Sequence, residues 1–190
     1  MPTLRPALLS AALPRLWRRL WLCGALAMLC GAAQAQSPVP EQQLKAAFIF
    51  NFAVFAEWPA EALPAGSPLL LCVYSDSTLL DALLALADKS INGHKLTVRT
   101  LAGTGAGTVR TCHLLVLDRA DRERWPQLHR ELANASVLTV ANDKQIAAAG
   151  AMLALFMEDR RVVFDADLGA IRANHLALSS KLLRLARSVQ

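Results

Sequence analysis

What this chain of 190 residues lacks excludes several architectures. It has no glycine at every third position and no long heptad array, so collagen-like and coiled-coil rods are out. Only one apolar stretch is long enough to discuss, which excludes a polytopic membrane protein. No Cys-x-x-Cys is present to lower a thiol's pKa for redox work. The four histidines (His94, His113, His129 and His175) stand apart from one another and from the thiols, so no metal-ligand set can be read. The first 35 residues contain no Asp or Glu, yet they hold Arg5, Arg15, Arg18 and Arg19. Setting that segment aside leaves 16 basic against 15 acidic residues, and the net charge falls from +5 to +1. Phosphate binding needs clustered cation excess on the folded part, so no nucleic-acid partner is expected. A hydrophobic content of 54% excludes general disorder.

The N-terminus has a recognisable order. A basic, mixed segment runs to Arg19, an uncharged apolar run covers residues 20–33, and Ala33-Gln34-Ala35 follows. This is the pattern of a secretory signal peptide. The apolar run is shorter than the roughly 20 residues that span a bilayer as a helix. Residues 1–35 are therefore expected to be a signal peptide cut between Ala35 and Gln36, with an uncleaved anchor as the alternative. Residues 36–40 form a short tail, and residues 41–190 form one domain. The exported chain is large enough to bury roughly 70% of its unfolded surface.

Cleavage would leave Cys72 and Cys112, each in an apolar, strand-like run (Leu69–Tyr74 and Cys112–Leu117). In an oxidising compartment two such thiols tend to pair, and a structural disulfide is expected; two buried free thiols are the alternative.

Along the domain, Glu41–Ala56 reads as a helix started by Pro40 and stopped by Trp58-Pro59, with Leu44, Phe48, Phe52 and Phe55 on one stripe that Ile49 widens. The run 69–74 reads as a strand buried on both faces. A helix is expected from Leu79 to Ala87, an Asn92-Gly93 turn, a strand at 95–100, a flexible loop at 102–108 and a strand at 112–117. Further helices are expected at 126–132, 143–148, 167–173 and 181–188, a strand at 136–141, and a hairpin from strands 152–157 and 161–164. The pattern predicts an α/β fold: a single three-layer domain with a mostly parallel sheet, helices on both faces and a C-terminal β-hairpin plus helix.

Tempting chemistry does not assemble. Gly103-x-Gly105-x-Gly107 leads into a strand rather than opening a helix after one, as a phosphate loop must. Ser179-Ser180-Lys181 lacks the Ser-x-x-Lys spacing of a serine nucleophile and reads as a helix cap. Asp165 and Asp167 read as an edge pair, Glu158-Asp159 as a turn, and Arg119–Arg124 as a solvated face of mixed sign. His113 reads as a structural histidine. No nucleophile, base and oxyanion donors converge.

Three stretches together resemble the YfiR family of periplasmic regulators. The first runs from Lys45 through Asn51, Phe52 and Phe55 to Trp58-Pro59, like the family's K-A-x-F-x-x-N-F-x-x-F-x-x-W-P. The second is the pair of strands bearing Cys72 and Cys112-His113, like the family's paired cysteines. The third is Leu176–Ala186, with Ser179-Ser180-Lys181, like the family's L-x-I-S-S-K-L-L-x-L-A ending. Two departures stand out: Asp159-Arg160 where the family tends to have Asp-Gly, and Asn174-His175 where a Gly is usual.

The resemblance implies a non-enzymatic periplasmic protein without cofactor or metal. Such a protein binds the periplasmic part of an inner-membrane diguanylate cyclase and represses it, lowering cyclic-di-GMP and restraining biofilm formation. It also implies an outer-membrane protein that sequesters the repressor; a homodimer is a further expectation. The alternative is a periplasmic small-ligand binder or sensor, using a crevice at the carboxyl ends of the strands near Ser75-Asp76 and Asn142-Asp143.

Overall fold

The structure, a computed structural model, describes residues 39–103 and 106–190. The expected leader, its cleavage point at Ala35 and Gln36, and Gly105 of the glycine triplet lie outside the described residues.

Helix α1 (Glu41–Phe55) begins after Pro40, whose φ of −55° is already suited to a helix start, and Glu41 sits favourably in its first turn. Its buried stripe is Ala46, Ile49, Phe52 and Ala53. Of the expected stripe, Phe52 and the widening Ile49 are buried, while Leu44, Phe48 and Phe55 are half-buried, so the stripe is rotated toward Ile49. The large rings reach the core from the side: Phe48 meets Phe52 edge-on at 6.4 Å, and Phe52 meets Phe164 at 4.9 Å.

After α1 the chain passes through β1 (Ala56–Glu57), β2 (Leu69–Tyr74), α2 (Leu80–Leu84), β3 (Ser90–Ile91) and β4 (His94–Leu101). Then come α3 (Ala106–Val109), β5 (Leu114–Leu117), a 3-10 turn (Arg119–Asp121), α4 (Trp125–Glu131), β6 (Leu138–Ala141) and α5 (Lys144–Ala148). The C-terminal part holds β7 (Leu153–Glu158), β8 (Arg161–Ala166), α6 (Leu168–Ala173), β9 (Ala177–Leu178), α7 (Ser180–Leu183) and β10 (Ser188–Val189).

The main sheet has eight strands in the order β10-β8-β7-β6-β5-β2-β4-β3. β4, β2, β5, β6 and β7 run parallel; β8 and β3 are antiparallel to their inner neighbours, and β10 runs parallel to β8. The fold is mixed α/β with a mostly parallel sheet. The parallel strands follow the doubly wound order in which the second strand in sequence lies outside the first, so the order reverses between β2 and β5. The expected hairpin is present, with Glu158 opposite Arg161.

Alternation along β2 explains why the run is apolar throughout. Leu69, Leu71 and Val73 join one core with residues of α1, α2, α6 and α7, while Leu70, Cys72 and Tyr74 join a second core with Val109, Trp125, Leu128 and Ile146. Both faces of the strand are dry, and each fully buried Leu or Val there contributes roughly 1.5–3 kcal/mol.

Four local expectations need correction. The strand expected from Cys112 begins at Leu114, because Cys112 closes a turn onto Val109 and His113 is used otherwise. The expected loop at 102–108 contains the four-residue α3. The helix expected to Ala87 ends at Leu84 and finishes in turns. The last helix stops at Leu183, and Leu185, expected on its buried side, is 72% exposed, because the chain leaves α7 to pair β10 with β8.

Candidate functional site

The motif residues form a structural seam. β1 and β9 pair antiparallel, Ala56 opposite Leu178 and Glu57 opposite Ala177, and the Ser179 amide donates to the Phe55 carbonyl at 2.9 Å. This seam ties the end of α1 to the segment that opens α7. Ser179 N-caps α7, its hydroxyl accepting from the Lys181 amide at 3.3 Å; Ser180 starts the helix, and both Ser180 and Lys181 are exposed. Capping therefore accounts for the serines.

Trp58 and Pro59 point the other way along the chain. The Trp58 indole donates to the His113 carbonyl at 3.1 Å, and the Pro59 carbonyl accepts from the Ala62 and Leu63 amides. The His113 ring is sandwiched: Nδ1 accepts from the Leu70 amide at 2.9 Å, which leaves Nε2 to donate to the Ala62 carbonyl at 2.9 Å. This is a neutral imidazole, and burial holds its pKa below the usual 6.5, against the raising effect of the Ala62 bond. Next to it Cys72 and Cys112 are bridged, with Cα atoms 5.9 Å apart.

Lys45 is nearly buried on α1 and pairs with Glu41 one turn earlier at 2.5 Å. Asn51 lies on the exposed side of the same helix, and Phe52 is fully buried. The structure thus brings Trp58 and His113 together, and Ser179 with the end of α1. Asn51 and Lys181 remain outward-facing.

A second constellation sits where the strand order reverses, at the carboxyl ends of β2, β5 and β6. A cleft of about 440 Å³ is lined by Asp76, Thr78, Asp118, Arg119, Ala120 and Asn142. Asp118 is buried, and its Oδ2 accepts from the Ser77 hydroxyl at 2.9 Å and from the Thr78 amide at 2.7 Å and hydroxyl at 3.1 Å. Its Oδ1 takes the Ala120 amide at 3.0 Å, and Asp121 reaches back to the Asp118 amide at 2.7 Å, completing a capping box. Asp143, named with Asn142 for the crevice, caps α5 through the Gln145 and Ile146 amides and pairs with Arg122; Asn142 lines the cleft. The Arg122 guanidinium holds the Asp143 carboxyl below the usual carboxylate range, and Arg124 does the same for Asp76.

The segment 119–124 is therefore not a solvated face. Asp121 is fully buried, and Arg122 and Arg124 are committed to carboxylates from other strand ends. The Asp118-x-x-Asp121 spacing was the available signal for the capping box, but the further donors to Asp118, Ser77 and Thr78, come from 41 and 40 positions away. Asp165 pairs with Arg187, and Asp167 caps α6. Among the described residues, no group of three or more His, Cys, Asp or Glu is arranged to hold a metal ion, and no helix is long and apolar enough to cross a membrane.

The profile of a family described as YfiR/HmsC-like matches residues 42–187. Among solved structures, a conserved domain protein from Vibrio cholerae O1 biovar El Tor superposes with a TM-score of 0.54 at 13% identity, over 81% of this chain and 62% of that one. An ABC domain from Streptococcus pneumoniae, in complex with L-Trp, superposes with a TM-score of 0.50 at 11% identity, over 69% of this chain and 59% of that one. The chain thus spans about three-fifths of the length of each, and the likeness is one of fold.

Proposed function

The chain belongs to the YfiR/HmsC-like family, and on that premise we propose that it is a periplasmic regulator that binds the periplasmic part of an inner-membrane diguanylate cyclase and represses it. The family is regulatory rather than catalytic. The match over residues 42–187 carries this reading, because it includes α1, the bridged cysteines and the Ser179-Ser180-Lys181 seam in one order. The proposed route is export by residues 1–35 with cleavage between Ala35 and Gln36, and folding of 41–190 in an oxidising compartment.

Repression is a population shift. The regulator must bind the inactive cyclase more tightly than the active one, and the difference in affinity sets the depth of repression. An outer-membrane protein that binds the free regulator would relieve it by mass action, and a homodimer would compete in the same way. The test is a chromosomal deletion. Cyclic-di-GMP and biofilm are expected to rise and to return when the gene is restored; unchanged levels contradict the proposal.

The cleft at the strand-order reversal supports a second reading, a small-ligand sensor. A thermal-shift screen of polar metabolites that stabilises the protein, with the effect lost in Thr78→Val, supports it; a screen without a stabilised compound contradicts it.

A further inference from the structure

A groove of about 310 Å³ opens at the junction of α1 and β1, against β3 and the start of β4. Besides apolar walls from α1, β2 and β3, it is lined by Glu57, Trp58, Asn92 and His94. The donors of these side chains are engaged elsewhere. The Trp58 indole nitrogen is held by the His113 carbonyl at 3.1 Å, and the Asn92 amide nitrogen donates to the Val54 carbonyl at 2.9 Å. His94 Nδ1 lies 2.7 Å from the Ser67 carbonyl, an oxygen that can only accept, so Nδ1 carries the hydrogen and Nε2 of the neutral ring carries a lone pair. One Asn92 amide hydrogen is thus the only uncommitted side-chain donor. Against it stand the two Glu57 oxygens, Asn92 Oδ1 and His94 Nε2. Glu57 is exposed, and among the described residues it forms no ion pair.

The charge around the groove has one sign. Between Lys45 and Lys89 the chain carries Glu57, Glu61, Asp76, Asp81 and Asp88, and no Lys or Arg. The two lysines that flank Ile91–His94 in sequence are already engaged. Lys89 Nζ stands 5.5 Å from the centre of the Phe50 ring, and Lys95 pairs with Asp88 at 2.8 Å. The last turn of α1, which ends at the groove, has no basic residue, so no cation of its own meets the partial negative charge of its carbonyl end.

We propose that this groove is a binding site for an alkylammonium group, as carried by a free aliphatic amine or by a lysine side chain. The three ammonium donors match the surplus of acceptors, and Glu57 supplies the countercharge. The Trp58 indole, anchored through its nitrogen, adds aromatic surface for the cation. The methylene chain lies along the apolar walls. The volume is at the small end of the range for ligand pockets, which suits a short chain rather than a ring system. The groove is separate from the strand-end cleft, and the inference does not depend on which protein the chain regulates.

Nitrogen–proton NMR of the purified protein at about pH 7.5 tests it, with titrations of the five-carbon diamine cadaverine and, separately, of N-acetyl-lysine methylamide. Pentanol and N-acetyl-norleucine methylamide are the neutral controls. At least one amine should give saturable shifts of the Glu57 amide, the Trp58 indole and the Asn92 side-chain resonances, with a Kd on the order of 1 mM or tighter, while the Trp125 indole stays in place. Glu57→Gln, an exposed and nearly isosteric change, should weaken this binding about tenfold and leave the melting temperature unchanged. Binding of cadaverine alone assigns the groove to a free amine, binding of the capped lysine alone to a side chain of another protein, and binding of both to the shared group. Neutral controls that bind as well as the amines, no saturable shifts with either amine, or undiminished binding in Glu57→Gln overturns the proposal.

Discussion

Trp58 and His113, 55 positions apart, are joined by a hydrogen bond from the indole Nε1 to the histidine carbonyl at 3.1 Å, with their rings edge-on at 6.4 Å. The contact pins the segment after α1 to the start of β5, beside the Cys72–Cys112 bridge. Two parts of the family motif are thus one structural unit.

His113→Ala should destabilise the protein by about 2–4 kcal/mol, since it strands the Leu70 amide and the Ala62 carbonyl. The pH dependence has a definite sign. His113 is held below 6.5 in the fold, so the unfolded chain takes up the proton first. This contribution is complete above about pH 6.5 and is lost as pH falls below it. Urea denaturation between about pH 5 and 8 should show that loss in the native protein and not in His113→Ala.

Cys72→Ser should lower stability by about 2–4 kcal/mol, because the bridge closes a loop of sequence separation 40. The native protein should lose a similar amount when unfolded in reductant, and Cys72→Ser should be insensitive to reductant. Mass spectrometry of periplasmic material showing two free thiols would contradict the bridge.

The two departures from the family pattern fall where the backbone is left-handed. Arg160 has φ +62° in the hairpin turn, and His175 has φ +60° after α6. Side chains with a Cβ are strained there. Arg160→Gly and His175→Gly should each stabilise the protein by about 0.5–1 kcal/mol in thermal denaturation, despite the added freedom of the unfolded chain.

Gly150→Ala should destabilise by roughly 2 kcal/mol or more. Its φ is +96°, and a Cβ would lie 2.4 Å from His129 Cε1, whose Nδ1 bonds the Ala149 carbonyl at 3.0 Å. A circular-dichroism melt shows the loss directly, and Gly150→Ala combined with His129→Ala should recover part of it.

Residues with strong local signals were legible in the sequence. Pro40, Asp143, Asp167 and Ser179 mark helix starts through geometry confined to a few residues. The β2 run and the β7–β8 hairpin carry their own periodicity and turn. The two-residue strands β1, β3, β9 and β10 carry none, since a bridge of two residues exists only because its partner is nearby. The same holds for the site. Trp58, His113 and the cysteines could be named from the sequence, but the contact between Trp58 and His113 could not. Asp121 looked solvated because its six-residue window is polar on average; the carboxylates that engage Arg122 and Arg124 of that window, Asp143 and Asp76, lie 21 and 48 positions away.

Direct binding tests the central claim most simply. The purified protein, residues 36–190, is titrated with the periplasmic segment of the diguanylate cyclase proposed as its partner, and heat of binding is recorded. Saturable association with a Kd in the micromolar range or tighter (roughly −8 kcal/mol or more favourable) is the expected result. No detectable association, with both components folded and the Cys72–Cys112 bridge intact, would contradict the account.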